Sequence, residues 1–146
     1  MKKFLMIFFS LVFMTSCTTT QMYNWGSTFN GVSEYEHLAY KNYDRQTPES
    51  ICELVILYEE LTSNPGGTLG TIPPGICAEY GYILLQEHTL ESFEKYATKK
   101  QRSVFATDDL SALFHEKGIE MLQKEIELYP ESEKFITPLL NKAKTN

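Results

Sequence analysis

Three cysteines and three histidines are the side chains best suited to chemistry in this 146-residue sequence, and their positions separate their roles. Cys17 directly follows the small residues Thr15 and Ser16 at the end of an apolar run, a place for a thiol to be acylated once a peptidase has cut before it. Cys52 and Cys77 remain as a pair that an oxidising compartment would either bond or leave as two buried thiols. His37, His88 and His115 are widely spaced, and no pair with a cysteine has the spacing of ligands on one helix turn, so no metal site is expected. Gly66-Gly67-Thr68-Leu69-Gly70 is glycine-rich but lacks the Lys-Ser/Thr that would hold phosphate and magnesium, so it reads as a loop. No G-x-S-x-G elbow, Rossmann glycine run or H-E-x-x-H occurs. The sequence therefore predicts no catalytic residue and no cofactor, and the chain reads as something other than an enzyme.

Lys2 and Lys3 precede the run Phe4 to Met14, broken only by Ser10. A run of about eleven residues suits a signal-peptide core and falls short of the ~20 that span a bilayer. Met14-Thr15-Ser16-Cys17 resembles a bacterial lipobox, with Met where Leu is usual. Residues 1–16 are then a lipoprotein signal peptide and Cys17 the acylated N-terminus; the alternative is an ordinary secretory signal with an accidental cysteine. Two or more acyl chains anchor stably without a spanning helix. Residues 17–22 read as a lipidated tether with no structure of its own. Thr18 stands where an Asp would retain a lipoprotein in the inner membrane, and no acidic run follows. By resemblance to that sorting rule, the expected place is the outer membrane, facing the periplasm. Net charge is −6 and becomes −8 once Lys2 and Lys3 leave, which argues against nucleic acid as a partner.

The remaining chain, residues 23–146, is expected to form one helical domain. Ser33–Tyr43 reads as a helix with a Ser33/Glu36 capping box and Tyr35, Leu38 and Ala39 inward. Thr47-Pro48 opens the next helix, whose stripe is Ile51, Leu54, Val55, Tyr58 and Leu61. Asn64–Gly75 is loop, and Pro73-Pro74 launches a helix through about Glu87, with Ile76, Tyr80, Ile83 and Leu84 inward. Thr89–Lys100 is a weaker helix carrying Leu90, Phe93, Tyr96 and Ala97, and the basic run Lys99–Arg102 reads as its solvated end. Asp108 caps a long helix to Leu128 with Leu113, Ile119, Leu122 and Ile126 inward, and Pro130 ends it. In Ser132–Lys144, with Phe135, Ile136, Leu139 and Leu140, Pro138 is expected to kink or restart the helix. No stretch alternates as a strand would, so the fold class is all-α.

Gly81 and Gly118 sit inside helices, each at a cost of ~1 kcal/mol relative to Ala, and close helix–helix approach is a physical reason to keep them there. Gly118, Leu122 and Pro130 match the spacing of the second helix of a tetratricopeptide-type repeat, and Gly81 matches the small residue of its first helix. The separation from Gly81 to Pro130 is about twice the standard one, so residues 88–115 read as an insertion in a tetratricopeptide-like helix hairpin. If the helices holding Cys52 and Cys77 run antiparallel, the thiols lie at opposite ends; a disulfide, which needs Cα atoms within ~7 Å, then requires the 64–75 loop to return the second helix parallel or crossing steeply.

Tyr23-Asn24-Trp25-Gly26, then Ile72-Pro73-Pro74-Gly75-Ile76-Cys77-Ala78-Glu79-Tyr80-Gly81-Tyr82-Ile83-Leu84-Leu85, then Glu125-Ile126-Glu127-Leu128-Tyr129-Pro130-Glu131-Ser132 resemble, in that order, the motifs of a family of small bacterial lipoproteins of unknown function. Its members are typically encoded beside a curli-secretion-channel-type (CsgG-like) pore lipoprotein and a third small lipoprotein. The resemblance implies a helical, non-catalytic outer-membrane lipoprotein that serves as an accessory or scaffold subunit of such an assembly, with those two proteins as partners. A different reading is a periplasmic lipoprotein binding a small ligand or peptidoglycan. Tyr23, Trp25 and Tyr82 are the candidate partner-binding residues: Trp and Tyr dominate interface hot spots, although Trp25 has the alternative of docking on its own helices. Tyr80 is expected in the core, and Tyr82, on the opposite side of its helix, in a groove.

Overall fold

Side-chain caps set the register of the first helices in the computed structural model, which describes residues 20–145. The expected leader 1–16, the acylation site Cys17 and the first tether residues lie outside the described residues. Helix α1 (Glu34–Arg45) starts where the Ser33 hydroxyl accepts the Glu36 N–H at 3.2 Å. Helix α2 (Pro48–Ser63) starts the same way, with the Thr47 hydroxyl accepting the Ser50 N–H at 3.2 Å and Pro48 in the first turn. Every member of the stripe Ile51, Leu54, Val55, Tyr58 and Leu61 is buried.

Five further helices follow among the described residues: α3 (Ile76–Leu84), α4 (Glu87–Tyr96), α5 (Lys99–Arg102), α6 (Leu110–Leu128) and α7 (Glu133–Thr145), with a 3-10 turn over Pro130–Ser132. The fold is all-α apart from one small hairpin. Its strands, β1 (Thr28–Phe29) and β2 (Val32–Ser33), pair antiparallel with Phe29 opposite Val32. Asn30 and Gly31 turn it, both at positive φ (51° and 80°), as a two-residue type I′ turn requires. None of the described helices is long and apolar enough to cross a membrane.

Helix α2 is the hub, packed on α1, α3 and α4, while α6 joins α3 to α7. Residues 88–115 are no appendage to this core. Phe93 of α4, Phe105 and Phe114 of α6 meet edge to face with ring centres 5.4–5.5 Å apart, all three buried in the cluster built on α2. Each such ring contributes about 1.5–3 kcal/mol by leaving water. Arg102 closes this region by donating its guanidinium to the carbonyls of Glu94 and Ala97 at the end of α4. The basic run thus forms α5, capped by Thr98 and Gln101 reciprocally.

Several expectations shift. Asp109, not Asp108, caps α6, its carboxylate accepting the Ala112 N–H at 2.9 Å. The fully buried face of α6 is Phe114, Gly118, Met121, Leu122 and Glu125, with Leu113, Ile119 and Ile126 half-buried at its flanks, because the helix follows its glycine into contact with α3. Tyr96 and Phe135 are exposed. Pro138 lies inside an unbroken α7, and the restart comes earlier, at the 3-10 turn after Tyr129. The tether is ordered before residue 22: the carbonyls of Gln21 and Met22 accept the N–H groups of Thr68 and Leu69 at 3.0 and 3.1 Å.

Candidate functional site

Five aromatic rings run from the surface at the N-terminus into the core. Tyr23, Trp25, Tyr35, Tyr58 and Tyr80 follow one another with centres 6.3, 5.1, 6.3 and 5.7 Å apart. Trp25 is held because its carbonyl accepts the Tyr35 N–H at 3.1 Å, tying the entering chain to the first turn of α1. Tyr80 is fully buried, as its side of α3 predicts.

Two carboxylates serve the phenols. Glu79 accepts from Tyr35 at 3.0 Å and from Tyr58 at 2.6 Å. Glu59 accepts from Tyr80 at 2.6 Å and pairs with Lys117 of α6 at 2.7 Å. Burial first, and then the neighbouring Glu79 charge, raise the pKa of Tyr35 and Tyr58 far above the ordinary phenol value; burial and Glu59 do the same to Tyr80. All three therefore remain hydroxyl donors. Burial works to raise the Glu59 carboxyl, but donors from Lys117, Tyr80 and Ser63 outweigh it and hold it below its usual range.

Above Glu79 the surface opens. Trp25, Tyr35, Glu36, Ala39, Tyr40, Tyr43 and Glu79 line a cavity of about 630 Å³ between the N-terminal segment, α1 and α3. A second cavity, of about 500 Å³, shares Ala39, Tyr43 and Glu79 with it and continues over Leu54, Tyr58, Tyr82 and Ile83. The two form one groove, and Tyr40, Tyr43 and Tyr82 on its walls are 64%, 78% and 53% exposed. Of the three residues expected to meet a partner, Trp25 and Tyr82 line this groove. Tyr23 is half-buried with its ring edge-on to Trp25 and lines neither cavity.

No family model matches this chain, and no curated protein or solved structure is similar to it. The groove is an aromatic and acidic surface in which Tyr35, Tyr58 and Glu79 are joined by hydrogen bonds.

Of the two states open to the cysteine pair, the structure holds the buried thiols. Cys52 and Cys77 are both free thiols buried in separate contacts: Cys52 reaches the Ser92 carbonyl of α4 at 3.5 Å, while Cys77 lies in the first turn of α3. The side of α2 that carries Cys52 packs on α4, which takes it away from α3. Burial above all, with Glu49 and Glu125 respectively adding to it, pushes the thiols up to about 11 and about 12. Each is thus an unreactive core residue at neutral pH. His37, His88 and His115 are exposed, and His115 makes its hydrogen bond to the Ala143 carbonyl at 3.1 Å.

Gly81 and Gly118 face each other where α3 crosses α6. A Cβ on Gly81 would stand 2.7 Å from the Gly118 carbonyl oxygen, inside any real contact. Below this crossing lies a residue that opens the third sequence motif without a role assigned to it there. Glu125 is 3% exposed on α6, and its carboxylate accepts the N–H groups of Gly75 at 2.9 Å and Ala78 at 3.3 Å. It caps α3 from another helix, a place where negative charge is favoured by unsatisfied N–H groups and the helix dipole. This is what Pro73-Pro74-Gly75 leaves undone, since Gly75 brings no side chain to the cap. Tyr129 adds a second strap by donating its hydroxyl to the Ile72 carbonyl. The signal for Glu125 in the sequence is a carboxylate about one turn after Leu122, on the helix side that meets Gly81.

Proposed function

We propose that this chain is a lipid-anchored envelope protein, held through Cys17 at the outer membrane on its periplasmic side, whose helical domain binds a partner through the tyrosine-lined groove and carries out no reaction. Within that reading it is an accessory or scaffold subunit of a CsgG-like envelope or secretion-type assembly, with the pore-type lipoprotein and a third small lipoprotein as partners. The observation that supports it is the groove itself. Three exposed tyrosines stand on its walls, and exposed aromatics grouped around a groove are what protein interfaces bury at their hot spots. The lipobox-like residues place an anchor a few residues ahead of the same surface.

A periplasmic small-ligand or peptidoglycan-associated binding protein is the second reading. It is favoured by the size of the first cavity, about 630 Å³, which falls in the range of small-ligand sites.

Extraction of the tagged, lipidated protein from its own host in mild detergent, followed by mass spectrometry of what co-purifies, tests the proposal. Stoichiometric recovery of a pore-type lipoprotein is expected, with loss in Cys17→Ala and in the double variant Tyr43→Ser, Tyr82→Ser. A protein recovered alone, with a tightly held small molecule, would replace the assembly reading by the second one.

A further inference from the structure

We propose that the Trp25–Tyr43 end of the groove binds an organic cation, delivered as the arginine or lysine side chain of an extended partner segment. This deepens the partner-binding reading above and rests on it.

The lining carries the argument. Trp25, Tyr35, Tyr40 and Tyr43 supply four aromatic rings around the first cavity, and Glu36 and Glu79 supply its charges; no Lys, Arg or His lines it. Aromatic faces with a carboxylate beside them attract a guanidinium or ammonium through the ring quadrupole and direct pairing. Glu79 has no cation of its own: among the described residues, no Lys, Arg or His nitrogen lies within 4.0 Å of it, whereas Glu53, Glu59 and Glu91 each have a lysine. The Tyr35 and Tyr58 hydroxyls hold the carboxylate in place while using only about half of its roughly four acceptor positions. Room is left for N–H donors from outside.

The shape of the groove selects a segment over a small cation. Past Tyr43 and Glu79 it continues over Leu54, Ile83 and Tyr82, so a basic residue in the first cavity places its neighbours on an apolar floor. The net charge of −6 further favours approach by a basic chain.

Trp25 is the only tryptophan, so its fluorescence reports occupancy directly. The intact protein is titrated with acetyl-Leu-Arg-Leu-amide, with its citrulline counterpart and with tetramethylammonium. Saturable change is expected with the arginine peptide, weaker by about tenfold with citrulline, and by a similar factor in Glu79→Gln, because the charge-assisted contact is lost in both. Tyr43→Ala, at an exposed position, is expected to weaken binding while leaving the far-ultraviolet circular dichroism unchanged. Equal binding of the two peptides, or no saturation with either, overturns the cation site. Tighter binding of tetramethylammonium than of the peptide overturns the assignment to a partner segment. Co-purification of the pore-type lipoprotein that persists alongside failed peptide binding would remove this inference and leave the assembly reading standing; peptide binding without co-purification would do the reverse.

Discussion

Replacing Gly81 by alanine puts the helix crossing under the most direct test. The added methyl would lie 2.7 Å from the Gly118 carbonyl oxygen, 2.8 Å from Leu122 Cγ and 3.0 Å from the Leu122 nitrogen. Two of those three atoms are backbone, so α3 and α6 must separate by about 0.5 Å rather than let a side chain swing aside. A gap of that size forfeits about a quarter of each contact it opens, and a buried leucine makes some 40 contacts of 0.1–0.2 kcal/mol. Leu122 alone then loses about 1–2 kcal/mol, and Leu85, which packs over Gly118, adds a comparable amount. Alanine returns about 1 kcal/mol of helix propensity. The net loss is about 1–3 kcal/mol, in line with other overpacked cores, and lowers Tm by roughly 4–12 °C. Thermal and urea unfolding followed by circular dichroism measure it. Gly118→Ala is the companion, expected to cost less because its nearest neighbour is the Leu85 side chain, which can yield. A Gly81→Ala protein as stable as the parent, or more so, would mean that the two helices do not cross at these glycines.

Three more outcomes follow from the polar contacts. Glu125→Ala strips the first turn of α3 of its acceptor and should destabilise by about 2–4 kcal/mol in urea titration, whereas Glu125→Gln, keeping one acceptor, should lose about half as much. The Glu59 carboxyl is held below its ordinary value of 4.5 in the folded state, so its contribution is present above that pH and fades as acid carries the pH down through the folded value. Glu59→Gln should therefore flatten the stability profile below about pH 4.5, and an unchanged acid limb would refute the Lys117–Glu59–Tyr80 cluster. Cys52 and Cys77, with pKa values pushed to about 11 and about 12, should resist alkylation at pH 8 in the native protein and react promptly in urea without prior reduction; a requirement for reductant would mean that they are bonded.

The helical elements were legible wherever a local rule decides. Ser33 and Thr47 are caps whose hydroxyls act within three residues, and the α2 stripe recurs at helical spacing, so each could be read from a short window. The hairpin carried an equally local signal, Asn30-Gly31, which a search for long strand alternation passes over. Other features are products of assembly. The face of α6 is centred by its glycine contact with α3, which leaves Leu113, Ile119 and Ile126 half-buried at its flanks. The role of Glu125 depends on a helix end some fifty residues earlier. The groove was half legible: Trp25 and Tyr82 stood out by type, but Tyr40 and Tyr43 looked like ordinary exposed helix residues until Glu79 from α3 came to lie beside them.

The pairing of Gln21 and Met22 with Thr68 and Leu69 has a mechanical consequence. A pull applied at Thr20 meets bonded backbone at once. It reaches two backbone hydrogen bonds and a close approach in which Gly67, at φ 76°, leaves no room for a Cβ against the Met22 carbonyl. From that loop the strain has a short route onward, through the Tyr129 strap on Ile72 to the end of α6. Behind the first clasp lies Trp25, bonded through its carbonyl to α1. A pull strong enough to peel the clasp would next act on the wall of the groove, so the shape of that groove depends on a clasp formed some distance from it.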